Sequence, residues 1–284
     1  MLFGAAPGAT QPKYDKRNLT YANSFENGLQ ASTIRAIEWL TGKISIIRMV
    51  REFERRGGAE GLDFWRAALD VMGIEITTPA EQFARIPKTG PVVVVANHPH
   101  GLVDGMIMAE LIARVREDFQ ILTREVLTGL DAVASSFLIP VPFPHDKDAQ
   151  SKSVEMRAAA MARLKAGGLI CIFPSGVVAT SKTAFGPVEE AEWNVFTAQM
   201  IRRSGAAVVP IHFRGSNSRW YHIANRLSPT LRQSLLLHEV VHVCNQPHGP
   251  VIGSPLTPEE MAPLANDPRG FIGWLRQHTL SLKD

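Results

Sequence analysis

No apolar run in this 284-residue chain reaches the roughly 18 residues that a membrane-crossing helix needs, so no transmembrane helix is expected. The opening MLFGAAPGATQPKYDKRN lacks both the basic start and the long apolar stretch of a secretory signal. Cysteine is scarce. Cys171 and Cys244 are the only two, each inside an apolar stretch, where buried reduced thiols are expected and no disulfide framework, as in a cytosolic compartment. Aromatics make up 7% and do not interleave with basic residues as on single-stranded nucleic acid, so no nucleic-acid partner is expected. There is no internal repeat and no low-complexity tract. Neither sign of charge dominates: 30 Lys+Arg stand against 27 Asp+Glu. That mild basic excess is compatible with a solvated surface, with anionic lipid headgroups or with an acidic carrier protein.

What is present is 45% hydrophobic residues, enough for one large α/β domain, or a domain with an appendage. Residues 1 to about 24 are rich in Pro, Gly and Asn. In STIRAIEWLTGKISIIRMVREFERRGG, Ile34, Ile37, Leu40, Ile44, Ile47 and Val50 recur every three or four positions, with charged residues between them. This predicts an amphipathic helix capped by Ser32 or Thr33 and stopped at Gly57–Gly58. Such a helix either packs on the domain or lies in a membrane interface with Trp39 and its basic residues at headgroup level. GLDFWRAALDVMG predicts a second, short helix. The division expected is residues 1–75 as tail and amphipathic helices, for docking or packing, and 76–284 as the α/β domain.

From about residue 90 strands and helices alternate. PVVVVA, FQILTR, LICIF, AAVVPIHF and SLLLHEVVHVCN read as strands; DGMIMAELIARVRED, SVEMRAAAMARLKAGG and EAEWNVFTAQMIRRSG read as helices. Continuous apolar strands between helices predict a largely parallel central sheet covered by helices. Ligands in such sheets bind beyond the carboxyl ends of the strands. One such end carries VVVVANHPHGLVDG. Asp104 falls where the next helix should begin, a natural N-cap, and a histidine just before it can fold back onto its carboxylate. The acid would hold one imidazole tautomer, and Nε2 would take a proton from a hydroxyl. No enzyme nucleophile is evident, so the hydroxyl that attacks would be the substrate's own, as in direct acyl transfer to an alcohol. The plainer alternative is a turn with Asp104 as its cap.

NHPHGLVD, followed by CIFPSG and VVPIHF, resembles the PlsC-type glycerolipid and lyso-lipid acyltransferases over about residues 90–215. The five residues between His98 and Asp104, where the usual pattern has four, resemble the lengthened NHPxGxxDG loop of a bacterial branch that includes lyso-ornithine-lipid and other aminolipid O-acyltransferases. The resemblance implies His98 as general base and Asp104 as its orienting partner. His100 is the rival base; His98 is preferred because Asn97 precedes it as in the family. Gly101 would absorb the additional residue, since glycine tolerates backbone angles closed to others. The family glutamate of FPEG is Ser175 here. Ser175 and Gly176 can still offer hydroxyl and N–H groups, Lys182 follows closely, and one of Glu189, Glu190 or Glu192 is a candidate replacement carboxylate. An oxyanion would be met by amides near Gly101 or around Ser175–Gly176.

The strand-end arginine of phosphate-binding members has no counterpart in SSFLIPVPFPHDKDAQSKS, which offers only Lys147 and Lys152. This favours an acceptor with an amino-acid-like headgroup over lysophosphatidate. Arg124 and Arg214, at strand ends, are the other candidate cations, and His212 is expected to be a core or rim residue. LIPVPFPH would wall an acyl groove. The reaction implied moves an acyl group from acyl-ACP or acyl-CoA to a lyso-lipid hydroxyl. It would take place peripherally at the cytoplasmic face of the inner membrane, without metal or cofactor; the alternative acceptor makes phosphatidic acid.

Readings of other classes compete. HEVVH at 238–242 matches the zincin pattern, which needs a helix. As the Val-rich strand expected here, it would hold His238 and His242 roughly 13 Å apart, with Glu259 and Glu260 downstream as further ligands. His98-x-His100 could instead seed a hydrolase metal site with His145, His212 or His222. A non-catalytic lipid-docking module is the last alternative, and the intact His98 and Asp104 argue against it.

Overall fold

A computed structural model describes residues 20–22, 27–124, 136–142 and 148–283. Its centre is a six-stranded sheet. In chain order the strands are β1 (Val92–Ala96), β2 (Phe119–Arg124), β3 (Leu138–Val141), β4 (Leu169–Ile172), β5 (Ala207–His212) and β6 (Val251–Ile252). They lie in the order β6-β5-β1-β4-β2-β3. All neighbours are parallel except β6, which runs antiparallel to β5. The expected largely parallel sheet is therefore present. The edge strand β3, out of LIPVPFPH, was not foreseen.

The four valines of β1 are all fully buried. Alternate side chains of a strand face opposite sides, and the core divides accordingly. Val92 and Val94 pack with Trp65, Leu69, Ile107 and Val240 on one side, while Val93 and Val95 pack with Met156, Leu164, Ile201 and Phe271 on the other. The first side is covered by helices α3 (Asp63–Val71), α4 (Leu102–Ala113) and α9 (Leu236–His242). The second is covered by α5 (Ala149–Lys165), α6 (Val195–Ser204) and α11 (Pro268–Leu280). Helices α7 (Arg219–Leu227), α8 (Pro229–Ser234) and α10 (Pro258–Met261) complete the order.

The N-terminal segment is helical from Gly28 to Arg55: α1 (Gly28–Glu38), a π turn (Trp39–Lys43) and α2 (Ile44–Arg55). Its cap is Asn27, whose Oδ1 accepts the Leu29 N–H at 2.9 Å. Ser32 and Thr33, the expected caps, instead donate back to the carbonyls of Gly28 and Leu29. Gly57 and Gly58 both have positive φ and end the helix as expected. The π turn inserts a residue and rotates α2 relative to α1. Ile34 is buried, whereas Leu40 and Ile44 are 86% and 46% exposed, so the apolar stripe read from the sequence is split between two faces. At Gly42 a Cβ would lie 2.7 Å from the Leu237 carbonyl group, so the π turn rests directly on α9.

That helix overturns another expectation. LLLHEVVH forms α9, not a strand. Its valines bring high β-propensity, but packing outweighs propensity: Leu237 and Val240 are buried, and Glu239 accepts both the backbone N–H and the hydroxyl of Ser218 at 2.6 Å each.

Candidate active site

Strand β1 ends at Ala96, and the chain must turn within five residues to start α4 at Leu102. Gly101 makes the turn with φ +77°, as its place in the lengthened loop predicted. Asp104 is the third residue of α4, not its N-cap. From there its carboxylate reaches back and gathers the loop. Oδ2 accepts the N–H groups of His100 (2.7 Å) and Gly101 (3.0 Å). Oδ1 lies 3.0 Å from His100 Nδ1. Oδ2 also lies 3.1 Å from His98 Nδ1, at ion-pair distance but off the line of a hydrogen bond. One fully buried acid thus holds both imidazoles. Burial pushes the Asp104 carboxyl up, but the side chains of His100 and His98 outweigh this and leave it at about 2, ionised at neutral pH.

The two histidines differ in what they face. His100 is buried, its ring edge-on to His248 at 5.5 Å. His98 lies flat on Phe173, centroids 4.0 Å apart, and lines a cavity of about 450 Å³. With Nδ1 turned to Asp104, the Nε2 edge is the one left for the cavity. The cavity opens between the carboxyl ends of β1 and β4, where connections leave for opposite faces of the sheet, the expected place for a ligand. Its walls are mainly apolar, including Trp65, Leu102, Met106, Ile121, Leu138, Val141 and Met156. Leu138 and Val141 come from LIPVPFPH and form part of the wall expected of it. His145 and Lys147 lie outside the described residues.

The remaining sequence candidates separate. Gly101, Ser175 and Gly176 line the cavity with His98. Their polar groups are largely committed: Ser175 Oγ donates to the Val177 carbonyl, the Gly176 N–H to the Phe173 carbonyl, and the Gly101 N–H to Asp104. The amides of Gly101 and Gly176, expected to meet an oxyanion, are therefore engaged in this conformation. Asn97 lies beneath the loop. Its amide exchanges two hydrogen bonds with the Phe213 backbone, at 2.7 and 2.8 Å, and ties the end of β1 to β5. Lys182 is exposed and pairs with Glu189 at 2.6 Å, away from the residues lining the cavity. Arg214 is exposed just beyond β5 and does not line the cavity; Arg124 ends β2, and its side chain lies outside the described part of the structure. His212 is half-buried, its Nδ1 3.2 Å from the Leu282 carbonyl.

Of the three candidate glutamates, Glu190 alone reaches the loop. It is buried, and its Oε2 accepts the backbone N–H of His98 at 3.1 Å while Oε1 accepts Trp193 Nε1–H at 3.1 Å. Arg157 is a cation that sequence reading missed; it lines the cavity from α5, and no spacing signal marks it.

In α9, His238 and His242 do stack on one helical face, centroids 6.2 Å apart. However, Glu239 is taken by Ser218, and His238 Nδ1 lies 3.3 Å from the Thr41 carbonyl. Among the described residues no group of three His, Cys, Asp or Glu is arranged to hold a metal ion, whether in α9 or at His98 and His100.

A helix-covered parallel sheet whose central strand delivers a carboxylate-held histidine to a mainly apolar cavity defines the class: an α/β protein with a His–Asp pair at the carboxyl end of its sheet. The family model described as Acyltransferase matches residues 32–247, and the chain belongs to that family. It is 25% identical over 167 residues to a lyso-glycine lipid O-acyltransferase of Phocaeicola vulgatus, covering 58% of this chain and 56% of that protein. It is 26% identical over 168 residues to one of Bacteroides thetaiotaomicron, covering 58% of each. The chain thus matches little more than half the length of these relatives. The crystal structure of the 1-acyl-sn-glycerophosphate acyltransferase PlsC from Thermotoga maritima aligns with 92% of this chain and 86% of its own, at TM-score 0.48 and 15% identity.

Proposed function

We propose that this acyltransferase moves a fatty acyl group from a thioester, on acyl carrier protein or coenzyme A, to the free hydroxyl of a lyso-lipid with an amino-acid-type headgroup. The observation that carries this reading is His98, held by Asp104 and facing an apolar cavity. His98 Nε2 takes the hydroxyl proton as the oxygen attacks the thioester carbon. The tetrahedral intermediate then expels the thiolate, which recovers that proton from the imidazolium and leaves as the thiol. Asp104 keeps its charge throughout and stabilises the imidazolium. The relatives' names support an acceptor of the lyso-aminolipid kind.

The same reading assigns the segment up to residue 75 to membrane docking and residues 76–284 to the chemistry, at the cytoplasmic face of the inner membrane. No described helix is long and apolar enough to cross a membrane. Leu29, Trp39, Leu40 and Ile44 are exposed along α1 and the start of α2, with Arg35 and Arg48 also exposed on this segment, which suits an interfacial helix. The test is purified protein against lyso-lipids with amino-acid, phosphate and uncharged headgroups, each with both thioester donors. Transfer to the amino-acid lyso-lipid, lost in His98→Ala, is the expected result; thioester hydrolysis without any acylated lipid would refute it.

A further inference from the structure

Among the described residues, no aspartate or glutamate lines the cavity that His98 faces. The one permanent cation among its described lining residues is Arg157, whose guanidinium stacks over Phe196 at 5.2 Å. Arg157 is solvent-exposed while lining the cavity, which places it at the mouth. Among the described residues no carboxylate pairs with it. Beside Phe196, Thr197 lines the same cavity; its side chain is fully buried, yet its hydroxyl has no hydrogen-bond partner among the described residues. Helical threonines ordinarily return their hydroxyl to a carbonyl one turn back, and buried polar groups ordinarily find partners. Asn194, the cap of α6, also lines the cavity. Its Oδ1 accepts the Phe196 N–H at 2.8 Å, which leaves the donor end of the amide.

A guanidinium, a buried hydroxyl and an amide donor around the start of a ten-residue helix, with no acid among the described lining residues, complement a negatively charged oxygen pair on a long apolar molecule. We propose that Arg157, Thr197 and Asn194 form the subsite for the anionic headgroup of the acceptor lipid, its carboxylate or phosphate, and that Arg157 is the residue selecting charged over uncharged acceptors. This rests on the lyso-lipid reading of the cavity. It moves the headgroup-reading cation from the strand ends, where Arg124 and Arg214 were expected to supply it, to α5. Phe196 fixes the plane of the guanidinium and so prepares its paired donors for a bidentate contact that a lysine cannot reproduce.

The test has a kinetic arm and a binding arm. With one saturating thioester donor, Arg157→Gln is expected to raise KM for carboxylate- and phosphate-bearing lyso-lipids about tenfold or more, the size of a lost charge-assisted contact. Any loss of kcat/KM on an uncharged monoacylglycerol should be several-fold smaller. Arg157→Lys should recover part of the loss, and Thr197→Val should show a smaller loss of the same kind. The relative KM increase for carboxylate and phosphate acceptors tells the two headgroups apart. The binding arm uses N-dodecanoylglycine and its methyl ester, followed by calorimetry. The wild type should prefer the acid, and Arg157→Gln should bind the two alike. If the wild type acylates no lyso-lipid, the function proposed above fails while the binding arm still decides the subsite. Equal losses on charged and uncharged acceptors, a KM change confined to the donor, or an unchanged preference for the acid in Arg157→Gln would overturn the subsite.

Discussion

Glu190 accepts the backbone N–H of His98 at 3.1 Å, across 92 positions of sequence. The other oxygen of the same buried carboxylate accepts Trp193 Nε1–H. Two donors converge on Glu190, and a carboxylate offers an acceptor to each. A glutamine offers one acceptor and turns its NH₂ on the remaining donor. Glu190→Gln is therefore expected to cost ~1–3 kcal/mol in stability and to lower kcat by loosening the loop that carries the proposed base. Trp193→Phe in the same chain removes the second donor and should restore much of the lost kcat. Denaturant melts and steady-state kinetics on the single and double variants check this; a double variant no better than Glu190→Gln alone would show that the loop does not depend on this pair.

His98 and His100 share one carboxylate, but only His98 lines the cavity. His98→Ala should reduce transfer about a hundred- to ten-thousand-fold, the usual worth of a general base, with the fold intact. His100→Ala should keep substantial activity, because the Gly101 N–H and His98 still hold Asp104 on its other oxygen. Comparable losses in both variants would return the base assignment to an open choice between the two rings.

Val92–Val95 announced a strand buried on both faces, and the two halves of the core use its alternate side chains as that pattern requires. The His–Asp loop was legible because its residues are neighbours in the chain, and Gly101 because one backbone angle needed it. Glu190 was not separable from Glu189 and Glu192: nearby identical residues differ only in which way the chain turns them. Arg157 gave no local signal, since an arginine on a polar helix reads as solvated surface until its neighbours are known. The α9 segment was misread because the residues that hold it helical, Gly42 and Ser218, lie far away in sequence.

Two buried histidines make the stability of the fold sensitive to acid. Burial holds His222 and His248 below the usual imidazole value, so the folded state stays neutral where the unfolded chain takes up protons. The stability they contribute is complete above the unfolded value of about 6.5 and is lost as pH falls below it towards the folded values, because the unfolded state then binds more protons. His222 Nε2 is buried without a hydrogen-bond partner among the described residues, and the ring is away from the cavity. His222→Gln should flatten the decline of unfolding free energy between pH 7 and 5 (measured by urea titration) while leaving the His98 chemistry untouched; a slope equal to that of the wild type would place the acid sensitivity elsewhere.

Apolar side chains at the junction of α1 and α2 remain for a membrane. At 3.6 residues per turn Leu40 and Ile44 already fall off the face of Ile34. Leu40 is 86% exposed and Trp39 51%, and Lys43 stands 5.9 Å over the Trp39 ring. Replacing Leu40 and Ile44 by glutamate removes apolar area from the outer face and puts like charge towards an anionic surface. Each leucine- or isoleucine-sized contact with lipid is worth about 1.5–3 kcal/mol when fully buried, so Leu40→Glu/Ile44→Glu should reduce co-sedimentation with phosphatidylglycerol-containing vesicles at least tenfold. The melting temperature should change little, because both side chains are already in water. Activity on acceptor dissolved below its micellar concentration should persist, and activity on acceptor presented in vesicles should fall in step with binding. Undiminished vesicle binding would mean that these residues do not form the docking face and that the helix serves to pack on α9.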